Sequence, residues 1–279
     1  MLGMHARVPK HFVLEERLER YADAIEIAPA ALAGRWREAC APIGSAPFAR
    51  LAVDLGCGKG PYLAASARRD PQTLFVGIDG EPVCIAYAAQ RVIEGGLDNA
   101  LLVPALGDDL VRIFAPGEID ELIINFPTPF PRKKDAPKRL VALERLLEYR
   151  TVLAPDGRVV FKTDHEPLFA FAREQFELAG YEADYISDDY RSDFPDTPAS
   201  EYEERLVAQG AKVHAIIAHV GELAEEPVLM EPPSLVDYLP ENLEDLGYVP
   251  YGMRGTVVNL INRREHEEAR RARSKRNRS

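Results

Sequence analysis

The feature that most restricts this chain is a rhythm: between Leu51 and His219, short apolar runs alternate with longer amphipathic ones. Leu51-Ala52-Val53, Leu74–Ile78, Leu101-Leu102-Val103, Ile119–Ile124 and Arg158–Phe161 are too short for helices and too apolar for strands with one wet face. They read as strands buried on both sides. Tyr62–Arg69, Glu81–Glu94, Arg139–Leu153 and Glu166–Ala179 carry helical periodicity, punctuated by Gly95-Gly96, the turn Pro155-Asp156-Gly157 and Gly180. Tyr181–Ile186 and Lys212–His219 supply the last two strands. Strands separated by crossover helices do not pair as hairpins. The expected fold class is therefore α/β: a mostly parallel seven-stranded sheet with helices on both faces.

In such a sheet, ligands bind beyond the carboxyl ends of the strands, where the strand order reverses. The first strand runs into Asp54-Leu55-Gly56-Cys57-Gly58-Lys59-Gly60. Gly56, Gly58 and Gly60 permit a tight turn into the next helix and a close approach of main chain to ligand. A dinucleotide fingerprint wants glycine at 61, where this chain has Pro61. Asp54 argues the same way, because a carboxylate there repels a pyrophosphate but suits the ammonium of a methionine moiety. Asp79 ends the second strand, where a carboxylate accepts hydrogen bonds from ribose hydroxyls. Together these residues point to S-adenosylmethionine as the cofactor.

The flanks read differently. Phe12, Leu14, Leu18, Tyr21 and Ile25 recur at helical intervals, so residues 1–48 are expected to form a helical extension, ended by Pro42, Gly44 and Pro47. The sheet domain takes residues 49–220. Residues 221–262 form a C-terminal extension, rich in Pro and Glu up to Asn242, with Tyr248–Ile261 as one further strand or hairpin. Residues 263–279 have almost no apolar side chain and are expected to be a basic tail, solvated helix or disordered.

Composition sets the exclusions. The 279 residues are 46% hydrophobic, enough for a large core. No apolar run nears the ~20 residues of a membrane helix, and Met1–Lys10 lacks the apolar centre of a secretory signal. Cys40, Cys57 and Cys84 have no metal spacing, and the histidines are scattered. The expectation is a cytoplasmic protein with no membrane and no metal; whether it is a monomer or a homodimer stays open. The net charge of −11, taken globally, disfavours a nucleic-acid partner. Its distribution does not, because the acidic body carries two basic islands. One is Arg132, Lys133, Lys134, Lys138, Arg139, Arg145 and Arg150; the other is the tail, with eight Lys and Arg against three acids.

The fourth strand runs into Asn125-Phe126-Pro127-Thr128-Pro129-Phe130-Pro131-Arg132. Alternate prolines fix φ and stiffen this loop, so it can hold a planar substrate against a methyl donor. With these residues in view, the chain resembles the bacterial tRNA (guanine-N7) methyltransferase family, which modifies the variable-loop guanine at tRNA position 46. Four segments between Leu51 and Val220 carry the resemblance. They are the loop Asp54–Gly60; Phe114-Ala115-Pro116-Gly117-Glu118 followed by Asn125-Phe126-Pro127; Phe161-Lys162-Thr163-Asp164; and Ser200-Glu201-Tyr202-Glu203, which matches the family's Thr-Glu-Tyr-Glu. The resemblance implies a Rossmann-like class I methyltransferase with S-adenosylmethionine as cofactor and tRNA as partner. It implies cofactor contacts from Asp54, Gly56, Gly58, Gly60, Asp79, Asp108 and Asn125. It implies substrate contacts from Arg132, Asp164, Ser200, Glu201, Tyr202 and Glu203, and it puts Thr128 at the catalytic position.

The chain departs from the family at several points. The family has an aspartate where Thr128 stands, and Phe130 replaces its tryptophan. Its basic run is altered at Asp135-Ala136-Pro137. Leu106 occupies the place of its adenine-facing aspartate, with Asp108 as the nearby substitute. Guanine N7 is a free acceptor and needs no general base, so an enzyme of this kind works mainly by proximity and alignment. Two other readings fit the same residues. One is a same-fold methyltransferase for another substrate; the other is a non-catalytic S-adenosylmethionine- or RNA-binding paralogue.

Overall fold

The computed structural model describes residues 12–39, 47–107, 109–223, 227, 229, 231–243, 246, 248–249 and 253–276. The strands are β1 (Arg50–Leu55), β2 (Thr73–Ile78), β3 (Ala100–Val103), β4 (Ile119–Asn125), β5 (Leu153–Thr163), β6 (Tyr181–Ser187) and β7 (His214–Val220). They form one seven-stranded sheet in the order β3-β2-β1-β4-β5-β7-β6. Strands β1 to β5 pair in parallel, and β7 is antiparallel to both β5 and β6. The order reverses between β1 and β4, which opens a crevice at the carboxyl ends of those two strands.

The helices are α1 (Leu14–Arg20), α2 (Trp36–Ala39), α3 (Pro61–Arg69), α4 (Pro82–Glu94), α5 (Leu110–Ile113), α6 (Leu143–Val152), α7 (Glu166–Leu178), α8 (Tyr190–Asp193), α9 (Glu201–Ala208) and α10 (Arg254–Arg276). Period-2 alternation divides the core between the two sheet faces. Leu51, Val53, Leu74, Val76 and Ile78 meet Leu110, Leu146, Tyr149 and Leu168 of α5, α6 and α7 on one face. Ala52, Phe75 and Leu102 meet Leu63, Ala67, Ile85, Ala88 and Val92 of α3 and α4 on the other. The expected three-layer α/β architecture is the observed one.

Four local expectations change. The Pro155-Asp156-Gly157 turn lies inside β5, as a bulge: Ile119 pairs with Leu153, and Glu121 next pairs with Arg158. The helix expected from Arg139 begins only at Leu143, since Arg139 and Ala142 are extended, after a 3-10 turn over Lys133–Lys138 that contains Pro137. Ile25 is not helical. It makes a parallel bridge to Leu102, and Glu26 N–H donates to Leu102 O, so the N-terminal segment covers the open edge of β3. The strand expected over Tyr248–Ile261 is overturned, since α10 starts at Arg254. Thr256, Val257 and Val258 favour a strand locally, but the Ala-, Glu- and Arg-rich sequence after them propagates as helix. Pro42 and Gly44 of the expected linker lie outside the described residues.

Candidate active site

A cleft of about 720 Å3 opens at the crevice. It brings together Asp54, Gly56, Gly58, Asn125, Thr128, Asp164, Ser200, Glu201 and Tyr202 from four separate stretches of chain. Gly60, Asp79, Arg132 and Glu203 do not line it, and Asp108 lies outside the described residues.

The floor is the turn after β1. Gly56 and Gly58 have φ of 78° and 57°, and a Cβ on either would meet nothing within 4 Å. Both positions therefore leave bare main chain facing open space. Gly60 serves packing instead: at φ +76° it has no Cβ, and one placed there would sit 2.8 Å from Ala88 Cβ. Its absence lets α3 close on α4. Asp79 organises the same turn, accepting from Gly58 N–H at 2.9 Å and Glu81 N–H at 2.8 Å. Burial raises its carboxyl above the ordinary range, and the two main-chain donors oppose that rise.

Asp54 is 2% exposed, and its Oδ2 has no hydrogen-bond partner. Burial pushes its carboxyl up to about 7, with Lys162 pulling down and Asp79 pushing up. Asn125, at the end of β4, lines the same cleft with both Oδ1 and Nδ2 unpartnered. Unsatisfied buried polar atoms are rare in folded proteins, and here they cluster beside open main chain. This donor and acceptor set fits S-adenosylmethionine: a carboxylate for its ammonium, an amide, and bare main chain beneath.

The opposite wall is the proline loop and the segment before β7. Thr128 is exposed between Phe126 (φ 49°) and Phe130 (φ 45°), two aromatic residues in the left-handed region. The Phe126 ring packs edge-on to Tyr202 at 5.4 Å, which joins the two walls. Ser200 is the N-cap of α9, accepting from Glu203 N–H at 3.1 Å. The Glu203 side chain points away from the cleft. It is 1% exposed, pairs with Lys162 at 3.3 Å and meets Arg191. Its carboxylate faces the fully buried Lys162 and the half-buried Arg191, and it does not line the cleft. Arg132 is exposed and paired with Asp135 at 2.8 Å.

Two cleft neighbours escaped sequence reading. His165 lines the cleft, its Nδ1 accepts from Leu168 N–H at the start of α7, and burial holds its pKa down at about 4. Tyr248 comes from the C-terminal extension and donates to Asp164 Oδ2 at 2.9 Å. Pro167 in the first turn marks the start of α7 next to His165, but nothing in the sequence links position 248 to 164.

The family model described as a putative methyltransferase matches residues 49–216. The tRNA (guanine-N(7)-)-methyltransferase of Streptococcus sanguinis strain SK36 is 31% identical over 204 residues, covering 73% of this chain and 94% of that protein. The enzyme of the same name from Geobacillus sp. strain WCH70 is 30% identical, covering 72% of this chain and 89% of its own. Among solved structures, the 16S rRNA methyltransferase KamB matches with a TM-score of 0.51 at 17% identity, over 63% of this chain and 89% of that one, which is a likeness of fold. Over most of its length, the chain belongs to the tRNA (guanine-N(7)-)-methyltransferase family.

Proposed function

We propose that this chain transfers a methyl group from S-adenosylmethionine to N7 of a guanine in tRNA, and that the guanine is the variable-loop one at position 46. The observation that carries the reading is one continuous cleft. Its floor at Asp54, Gly56, Gly58 and Asn125 suits the methyl donor, and its far wall at Thr128, Asp164 and Tyr202 suits a base. The relatives' names supply the base and the nucleic acid. Among the described residues no group of three or more His, Cys, Asp or Glu side chains could hold a metal ion, and no helix is long and apolar enough to cross a membrane.

When bound, S-adenosylmethionine supplies a sulfonium methyl to a nucleophile. The chain's own residues bind and align. Asp54 pairs with the ammonium, Asn125 bonds the donor at the mouth of β4, and the stiff proline loop holds the base in line. Alignment of this kind supplies on the order of 7–11 kcal/mol in well-oriented systems. Asp164 accepts from the exocyclic and ring N–H donors of guanine, a polar match that an adenine lacks. We read residues 49–220 as the catalytic domain, with 1–48, 221–262 and 263–279 as extensions that a tRNA-modifying enzyme of the cytoplasm uses for support and RNA contact. The decisive experiment is labelled methyl transfer to unmodified tRNA with the product nucleoside identified. Appearance of 7-methylguanosine is expected, and its absence with active, cofactor-bound protein rejects the reading.

Two further outcomes follow from the geometry. Asp79→Asn keeps one acceptor oxygen but loses the charge that two main-chain donors face. Cofactor affinity should drop by about 1 kcal/mol, as the glycine turn loosens. Titration calorimetry giving wild-type affinity would make Asp79 a bystander. Deleting residues 263–279 removes eight basic residues from the end of α10 and beyond. tRNA affinity should weaken and the slope of log affinity against log salt should flatten, because fewer counterions are released. An unchanged slope would leave the tail without a role in RNA binding.

A further inference from the structure

The proline loop cannot hold itself. Pro127, Pro129 and Pro131 have no N–H to give a ladder, and Phe126 and Phe130 sit at positive φ, a conformation that bulky L residues keep only when their surroundings impose it. The carbonyls of the loop must therefore be met from outside.

They are met by two elements. Arg139, 1% exposed, donates through Nε to Pro129 O and Phe130 O at 3.2 Å each, and through Nη2 to Phe130 O at 2.9 Å. Its Nη1 donates to Pro233 O at 2.8 Å. Ser234 Oγ and Leu235 N–H both donate to Pro131 O at 3.0 Å. So three consecutive loop carbonyls, of residues 129, 130 and 131, are held by one guanidinium and one turn of the C-terminal extension.

That turn is itself anchored. Leu235 is fully buried in the main core, and the Tyr238 ring packs against Phe171 of α7 at 6.1 Å. Arg139 packs over the same Phe171, its guanidinium carbon 4.6 Å from the ring centre. The acceptors of Arg139 are main-chain oxygens, which makes a buried cation here costly for stability alone. Its geometry is accounted for by what it holds. Residues 233–238 lie beyond the stretch matched by the family model, which ends at 216.

We propose that Arg139 and the C-terminal turn Pro233–Leu235 form a clamp that positions Thr128 and its loop against the substrate base, making the C-terminal extension a working part of the active site. Arg139 and Ser234 are positioning residues: neither lines the cleft, and both act through the loop. The kinetic part of the proposal rests on the tRNA-methylation reading; the structural part does not.

The test uses the full-length protein and the variants Arg139→Met, Arg139→Lys, Ser234→Ala and, as a comparison for plain loss of packing, Val152→Ala on α6. Hydrogen exchange of the peptide covering 231–239, whose Leu235 N–H donates to Pro131 O of the loop, S-adenosylmethionine affinity by calorimetry, and kcat and KM on unmodified tRNA are measured below every variant's melting temperature. Arg139→Met should speed exchange in that peptide and lower kcat by about a hundredfold, the cost of misplacing a reacting group by roughly an ångström. Arg139→Lys should recover part of that loss, Ser234→Ala should lose about tenfold, and cofactor affinity should stay within about twofold of wild type, since the floor of the cleft is untouched. Val152→Ala should keep wild-type kcat. Unchanged exchange of that peptide in Arg139→Met, or a kcat loss that Val152→Ala reproduces, overturns the clamp. If the wild type methylates no tRNA, the proposed function fails, while peptide exchange and cofactor affinity still decide the clamp.

Discussion

Asp54→Asn is expected to weaken S-adenosylmethionine binding by about 1.5–3 kcal/mol, roughly ten- to a hundredfold, the scale of a lost charge-assisted hydrogen bond. The side chain is buried, has an unpartnered oxygen, lines the cleft, and is the proposed partner of the ligand's ammonium. Its titration adds a signature. Burial raises the carboxyl to about 7, against the pull of Lys162 and with Asp79 adding repulsion. Below that pH the free protein carries a neutral acid, and binding the ammonium must first remove the proton. Wild-type affinity should then fall by about tenfold per unit well below pH 7. It should fall again on the alkaline side as the ligand's amino group deprotonates near ~8. The asparagine variant should lack the acid limb. Calorimetric titrations giving a flat wild-type profile between about pH 5.5 and 7.5 would remove Asp54 from the cofactor site.

The same shift predicts the sign of a stability effect. The folded carboxyl titrates near 7 and the unfolded one near 3.8, so the native state holds this proton more tightly. Between those values the native state binds more protons than the unfolded one, and stability falls as pH rises. The loss is complete above the folded pKa, on the order of 4 kcal/mol. Asp54→Asn removes that penalty. Ligand-free Asp54→Asn should therefore melt higher than wild type at pH 8, while binding ligand less well, a trade of stability against function. A lower melting temperature at that pH would contradict the assignment of a strained, ionised Asp54.

Thr128→Asp is expected to raise guanine methylation by about tenfold or more, if the new carboxylate restores even ~1.4 kcal/mol of transition-state stabilisation. Methylation at N7 leaves a positive charge on the ring, and a carboxylate beside it stabilises that charge and accepts guanine N–H donors. Thr128 can accept a hydrogen bond but carries no charge. The loop geometry favours the substitution. Residue 128 is exposed in the cleft wall, so an aspartate there stays solvated until substrate arrives, and the clamp on the carbonyls of 129–131 does not involve its side chain. If the enzyme instead serves a different substrate, closing that substrate over an unpaired carboxylate is costly, and activity on it should drop. Labelled methyl transfer to tRNA by both proteins separates the two. A variant no better than a wild type that modifies no tRNA guanine would reject the guanine reading.

Some of this was written in the sequence and some was not, for physical reasons. Buried parallel strands must be apolar throughout, so β1 to β5 are visible as Leu51–Val53, Leu74–Ile78 and their successors, and the glycine turn follows from φ values that only glycine adopts freely. The placement of Asp54 and Asn125 also follows from local chain: each sits at the end of a strand whose register the hydrophobic run sets. The sequence alone therefore determined the fold class, the glycine turn at the floor of the cleft and the stiff loop opposite it. Tertiary structure decided the rest. Glu203 stands beside Tyr202 in sequence, yet one faces a buried Lys162 and the other faces the cleft, because successive side chains on α9 point in different directions. Gly60 looks like its neighbours Gly56 and Gly58, but only the docking of α4 shows that it serves packing. Tyr248 reaches Asp164, and Pro233 reaches Arg139, across long stretches of chain. Such contacts leave no periodic trace, since nothing local rewards them; the energy that fixes them is gained only when the C-terminal turn seats on α7 and the carbonyls of the proline loop find their donors.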